Sequence, residues 1–173
     1  MFAKLQALER NNTWQMVPFP PGHKPIGYRW VYKIMYNSDG ATERYKARLV
    51  AKGFTQVEGI KYKKTFSPIT KVTTLRCLLN VATSYNWYTH QFDVHDAFLH
   101  GTLQEEVYMT PPPDLHRLGE NLVCRLHKSI YGLKQTSRNW FLTFATNVKY
   151  ANYIQLNADY SLFTKSQGKS LLR

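Results

Sequence analysis

Two runs of strict alternation, separated by a short turn, constrain this chain more than any other feature. From Tyr28 to Tyr36, Tyr28, Trp30, Tyr32, Ile34 and Tyr36 fall on one face, and Arg29, Val31, Lys33 and Met35 on the other. Asn37-Ser38-Asp39-Gly40 supplies turn chemistry. From Glu43 to Lys52 the alternation resumes, with Tyr45, Ala47, Leu49 and Ala51 opposed to Arg44, Lys46, Arg48 and Lys52. Period two on both sides of a turn predicts a β-hairpin with one basic face. A row of cations at this spacing can follow a phosphate backbone or grip a triphosphate. It is also what an exposed sheet carries to stay soluble, and the pattern leaves both readings open.

Charge is partitioned along the chain. Between Cys77 and His116 there is no Lys or Arg, only the acids Asp93, Asp96, Glu105, Glu106 and Asp114. Residues 24–76 hold twelve Lys and Arg against three acids, and residues 117–173 hold nine against two. The formal charge of +12 over 173 residues favours a polyanionic partner, nucleic acid first.

The acidic island contains the stretch QFDVHDAFLHG, Gln91 to Gly101. Tyr88, His90, Phe92 and Val94 alternate with Thr89, Gln91, Asp93 and His95, which predicts a strand that buries one row and presents Asp93 on the other. Asp96 is placed to N-cap a short helical turn through Ala97, Phe98 and Leu99, ended by Gly101. Metal-dependent phosphoryl transfer needs carboxylates to hold a divalent cation and cationic side chains to hold the phosphates it polarises. A solvated aspartate near a strand end satisfies the same pattern.

With 43% hydrophobic residues, the chain can form one core, as a single domain or an incomplete piece of a larger one. Cys77 and Cys124 form no CxxC pair and are expected to be ordinary buried thiols. No signal-peptide pattern follows Met1, and no apolar run approaches the ~20 residues that span a bilayer. The expectation is a soluble intracellular protein. His90, His95 and His100 recur every five residues, which scatters them over different faces, so no zinc site is expected. No GxGxxG, P-loop or HExxH motif is present.

Other elements follow from periodicity. Phe2, Leu5 and Leu8 suggest an amphipathic helix over Phe2 to Arg10, and the Pro- and Asn-rich stretch Asn11 to Pro25 reads as a loop around an anchoring Trp14. Gly53 to Thr74 reads as connector, and a helix from about Thr74 to Tyr85 would bury Leu75, Leu78, Leu79 and Ala82. Val107 to Thr110 and Leu122 to Leu126 read as strands. After Tyr131-Gly132 a helix carries the stripe Trp140, Phe144, Val148 and Ala151. Tyr160 to Thr164 reads as extended, and Gln167-Gly168-Lys169 as a turn.

The segments YKARLVAKGFTQ (Tyr45 to Gln56), FDVHDAFLHG (Phe92 to Gly101), EEVYM (Glu105 to Met109), SIYGLKQTSRNWF (Ser129 to Phe141) and ADYSLF (Ala158 to Phe163) occur together in one order. Together they resemble the reverse transcriptase domain of Ty1/copia-type retrotransposons, over nearly the whole chain. The resemblance implies an α+β fold, fingers and partial palm of a polymerase, with an antiparallel sheet backed by helices. Residues 24–75 would be the fingers-like hairpin and connector, and residues 76–173 the partial palm. It implies an RNA-directed DNA polymerase acting on an RNA or DNA template-primer and dNTP, with Mg²⁺ as cofactor.

By the same resemblance, Asp93 is the first catalytic carboxylate and a metal ligand, with the Val94 carbonyl as a further ligand. Phe98 lies beneath the sugar and excludes a ribose 2′-hydroxyl; read by pattern alone it is an ordinary core aromatic. Arg48 and then Lys46 contact the triphosphate, Gly132 and Lys134 line the nucleotide side, and Arg44 and Lys52 follow nucleic acid. In that family a Tyr-x-Asp-Asp hairpin is expected shortly beyond the position of Arg173. With one of three metal-binding carboxylates in the chain, the expectation is that it is inactive and only marginally stable alone. A non-catalytic nucleic-acid-binding module and an inert transposon relic are the alternatives.

Overall fold

The computed structural model describes residues 2–59, 61–115 and 121–166. It is a mixed fold in which α1 (Phe2–Arg10), α2 (Val72–Ser84) and α3 (Thr136–Tyr150) accompany three antiparallel sheets. The largest sheet has the order β1-β5-β4, formed by β1 (Trp14–Pro18), β5 (Leu122–Lys128) and β4 (Thr102–Met109). β2 (Tyr28–Tyr36) and β3 (Thr42–Ala51) make the expected hairpin, and β6 (Ile154–Gln155) pairs with β7 (Phe163–Thr164).

α1 buries Leu5 and Leu8, while Phe2 stays exposed. It ends where Asn12 adopts φ 50°: the Thr13 N–H reaches the Leu8 carbonyl and the Asn12 N–H the Glu9 carbonyl, so these two carbonyls of the last turn are satisfied. Leu5 and Leu8 join Trp14, Ile26, Leu49, Val107, Met109, Cys124, Leu126, Ile130 and Leu133 in one core. That core links the main sheet to the base of the hairpin through Leu49 and Ala51, the inward positions of β3.

Several expectations need correction. The stretch after Asn11 is not all loop, because Trp14–Pro18 pairs in register with Leu122–Leu126. Pairing with a remote strand overrides the local breakers, and Pro18 sits at the strand end, where a missing donor costs little. Residues 88–95 form no strand, and both rows are exposed, Tyr88 at 95% and Phe92 at 87%. Among the described residues no strand lies alongside to take its backbone hydrogen bonds, and an unpaired strand does not persist in water. The α2 stripe forms, but Leu75, Leu78 and Leu79 are exposed, and of the four expected residues Ala82 alone is buried. Cys77, on the opposite side of the same helix, is exposed as well, whereas Cys124 is buried.

Smaller differences concern boundaries. β4 begins at Thr102 rather than Val107, and β3 ends at Ala51, one residue before Lys52. On α3 the Trp140 ring packs on Phe144, which meets Phe163 edge-on, but the fully buried positions are Thr136, Asn139 and Ala145. The turn expected at residues 167–169 lies outside the described residues. No helix among the described residues is long and apolar enough to cross a membrane.

Candidate active site

Asp93 lies in the exposed irregular segment before the turn Ala97–His100, with Val94 beside it, also exposed. It makes no hydrogen bond or ion pair among the described residues. Asp96, three residues on, behaves differently. It sits at the cap position in the left-handed region, φ 50° and ψ 36°, yet its side chain does not cap the turn. One carboxylate oxygen accepts from Lys4 Nζ at 2.5 Å, and the other from the Tyr131 hydroxyl at 3.0 Å. Burial raises the Asp96 carboxyl, but Lys4, Tyr131 and His95 more than offset it and hold it below the usual carboxylate range.

Tyr131 brings two of the expected nucleotide contacts together. The Arg48 guanidinium lies 5.7 Å from its ring centroid, and the Phe98 ring meets it edge-on at 6.0 Å. Phe98 keeps 36% of its surface exposed, so it is not the core aromatic that its apolar pattern also allowed. The Tyr131 backbone is anchored as well, its carbonyl accepting the Ala51 N–H at 2.7 Å.

Next to it Gly132 adopts φ +91° and packs directly on the Ala51 carbonyl, so close that a Cβ would not fit. The close approach expected at this glycine is made to the protein's own backbone. Lys134 is equally engaged. Its backbone N–H donates to Gln56 Oε1 at 3.0 Å, while Nζ donates to the Gln56 carbonyl and the Tyr62 hydroxyl and lies 4.9 Å from the Tyr62 ring centroid. Gln56 Nε2 donates to Gln135 Oε1 at 3.1 Å, and Gln135 Nε2 to the Lys61 carbonyl at 3.3 Å. Gln135 and Gln56 are 0% and 4% exposed, so this amide pair is an interior clasp between the connector and the start of α3.

The hairpin register decides how many cations share a face. Arg29 opposes Val50, Val31 opposes Arg48, Lys33 opposes Lys46 and Met35 opposes Arg44. Cross-strand partners point the same way, so Arg29, Lys33, Arg44, Lys46 and Arg48 lie on one face. Lys33 and Lys46 stand directly opposite each other, an arrangement that costs stability unless an anion relieves it. Glu43 is the one acid paired with this face among the described residues, 3.4 Å from Arg44. Lys52 departs from the row: its N–H donates to the Gly27 carbonyl, and its stem lies over Gly27.

Sequence reasoning missed Tyr131, Gln56 and Gln135 as organising residues. None has periodic neighbours that mark it; for Gln56 and Gln135 the available signal was a polar residue inside a recognised segment. Among the described residues, no complete divalent-cation centre is assembled around Asp93. Asp93 stands alone, Asp96 is committed to Lys4 and Tyr131, and no group of three His, Cys, Asp or Glu suited to a metal occurs among the described residues.

Comparison with known proteins gives this arrangement a family. The chain is 44% identical over 174 residues to the retrovirus-related Pol polyprotein from transposon RE1 of Arabidopsis thaliana, covering 99% of this chain and 12% of that protein. It is 40% identical over 166 residues to the Pol polyprotein from transposon TNT 1-94 of Nicotiana tabacum, covering 95% and 12%. It is 38% identical over 104 residues to the transposon Ty1-ER2 Gag-Pol polyprotein of Saccharomyces cerevisiae, covering 57% and 6%. The chain thus spans about an eighth or less of the length of these relatives. No solved structure matches it. The family model described as reverse transcriptase (RNA-dependent DNA polymerase) matches residues 11–172, and the chain belongs to that family, within its Ty1/copia-type members.

Proposed function

We propose that this chain is the part of a retrotransposon RNA-directed DNA polymerase that grips the nucleic acid and the incoming dNTP. Residues 24–75 serve as fingers and residues 76–173 as a partial palm. Arg48, seconded by Lys46, contacts the triphosphate, and Phe98 lies under the sugar. Gly132 and Lys134 line the nucleotide side, where Lys134 has one ammonium proton left after its bonds to Gln56 and Tyr62. Arg44 and Lys52 follow the template-primer backbone. Asp93, with the Val94 carbonyl, is the first metal-binding position of the polymerase, and Mg²⁺ at a complete site would stabilise charge on the transferring phosphate. The single observation that carries this reading is the meeting of Arg48 and Phe98 on one tyrosine ring.

Alone, the 173-residue chain binds without turning over. Support comes from the contrast between a five-cation face on the hairpin and a carboxylate that gathers no companions among the described residues. The test measures binding of a primer-template duplex against salt, together with primer extension in Mg²⁺. Expected are salt-sensitive binding, a log–log salt slope reduced by about 2–3 when Arg44, Lys46 and Arg48 are all changed to Gln, and no extension. Salt-insensitive binding, or extension abolished by Asp93→Ala, refutes the reading.

A further inference from the structure

Three side chains, Asp96, Arg48 and Phe98, meet at Tyr131, and a fourth, Lys4, holds Asp96. The Tyr131 hydroxyl is held by Asp96, and Asp96 by Lys4 of α1. Arg48 of β3 lies over its ring, and Phe98 of the Ala97–His100 turn meets it edge-on. The backbone is fastened independently, through the Ala51 N–H and the bridge between Val50 and Tyr131. The ring is therefore fixed at the hydroxyl and at the main chain; Arg48 is held through its main chain in the β2–β3 ladder, and its side chain leans on the ring. Arginine carries a long flexible stem, and the Tyr131 ring orders it by cation–π attraction while the Tyr131 hydroxyl also lies within reach of the guanidinium.

We propose that Tyr131 is a positioning residue that fixes the Arg48 guanidinium relative to the Phe98 ring, with Asp96 and Lys4 holding the tyrosine in place. This rests on the reading of Arg48 as a triphosphate contact and Phe98 as a sugar contact. Discrimination against a 2′-hydroxyl requires the sugar to be held at a set height over Phe98. That height is set by where the phosphates are gripped. Tyr131 couples the two, so its loss relaxes sugar selection as well as weakening binding.

The test uses the full chain and the variants Tyr131→Leu, which removes ring and hydroxyl, and Tyr131→Phe, which keeps the ring. Titration calorimetry with dATP and with ATP gives the two affinities, NMR of the Arg48 side chain reports the ring current above Tyr131, and thermal melting checks that each variant folds. Expected are an Arg48 ring-current shift in the wild type and Tyr131→Phe that is lost in Tyr131→Leu, and dATP binding weakened about tenfold in Tyr131→Leu and about threefold in Tyr131→Phe. The preference for dATP over ATP narrows in both. If Tyr131→Leu does not melt cooperatively, Tyr131→Phe decides by its narrowed preference. An unchanged Arg48 signal in folded Tyr131→Leu, or a preference within twofold of wild type in both variants, overturns the proposal. A wild-type chain that binds neither nucleotide refutes the nucleotide reading instead. The ring-current comparison then decides Tyr131 alone, loss of the shift supporting it and retention overturning it.

Discussion

Gly53 and Gly132 touch backbone to backbone: a Cβ added to Gly53 would overlap the carbonyl oxygen of Gly132, and one added to Gly132 would overlap that of Ala51. The hairpin base and the loop before α3 are locked at this point, and neither neighbour is a flexible side chain that could yield. Gly132→Ala also meets a left-handed backbone, φ +91°, which alone costs about 1–2 kcal/mol for a residue with a Cβ. Both Gly53→Ala and Gly132→Ala are expected to destabilise by about 2 kcal/mol or more. Gly40→Ala, in the hairpin turn, shares the left-handed strain at φ +83° but has nothing near its Cβ position, so it is expected to cost less than Gly132→Ala, which adds the overlap with Ala51. Urea unfolding of the three variants checks this, and equal midpoints would dispose of the lock.

Asp93 and Asp96 are separated by two residues and are expected to respond oppositely to substitution. Asp93→Asn touches an exposed, unpartnered carboxylate and should change stability by no more than about 0.5 kcal/mol. Asp96→Ala orphans Lys4 and the Tyr131 hydroxyl and should cost about 1–2 kcal/mol, between an exposed ion pair and a buried one. The pH dependence has a definite sign. Asp96 has a folded-state value below its ordinary 3.8, so its contribution is complete above that value and is lost as pH falls through the lower, folded one. The stability gap between wild type and Asp96→Ala should therefore close in acid, and a gap unchanged down to full protonation would contradict the ion-pair assignment.

Gln56 and Gln135 form the second link between connector and α3. Gln135→Leu keeps the volume but leaves the Gln56 amide and the Lys61 carbonyl without their partner, at a cost of about 1–3 kcal/mol. The double variant Gln56→Leu/Gln135→Leu should cost less than the sum of the two single changes, because the interaction they share can be lost only once. A strictly additive double-mutant cycle would show that the two amides do not interact.

What could be read from the sequence was what is written in neighbouring residues. The hairpin Tyr28–Tyr36/Thr42–Ala51 announced itself because both strands alternate and a turn lies between them, and α1 because Leu5 and Leu8 share a face. β1 escaped notice because its partner, Leu122–Lys128, is more than a hundred residues away, and the Pro-rich context masked a five-residue strand. The Asp93 segment and the α2 stripe show the converse error. Alternation and a helical stripe state that a segment can bury one face, but only a neighbouring element decides that it does. At the candidate site the cations and Phe98 were legible as residue types, whereas the Tyr131 junction joins positions 4, 48, 96, 98 and 131 and exists only in three dimensions.

The two thiols give a direct check on the burial of β5 and the exposure of α2 at Cys77. Cys77 lies on the exposed side of α2, whereas Cys124 is buried in β5 with its Sγ 3.5 Å from Met16 Sδ, and burial, with a smaller contribution from Glu9, pushes its thiol up to about 12. Reaction requires a thiolate and access, and Cys124 has neither at neutral pH. One equivalent of a chromogenic disulfide reagent should therefore react promptly with the native chain, and the second only after unfolding in guanidinium. Cys77→Ser should abolish the fast phase and leave the slow one intact. If both thiols reacted at one rate in native buffer, the burial of β5 would be wrong. If neither reacted, the Cys77 face of α2, which lies opposite the leucine stripe, would be covered in solution.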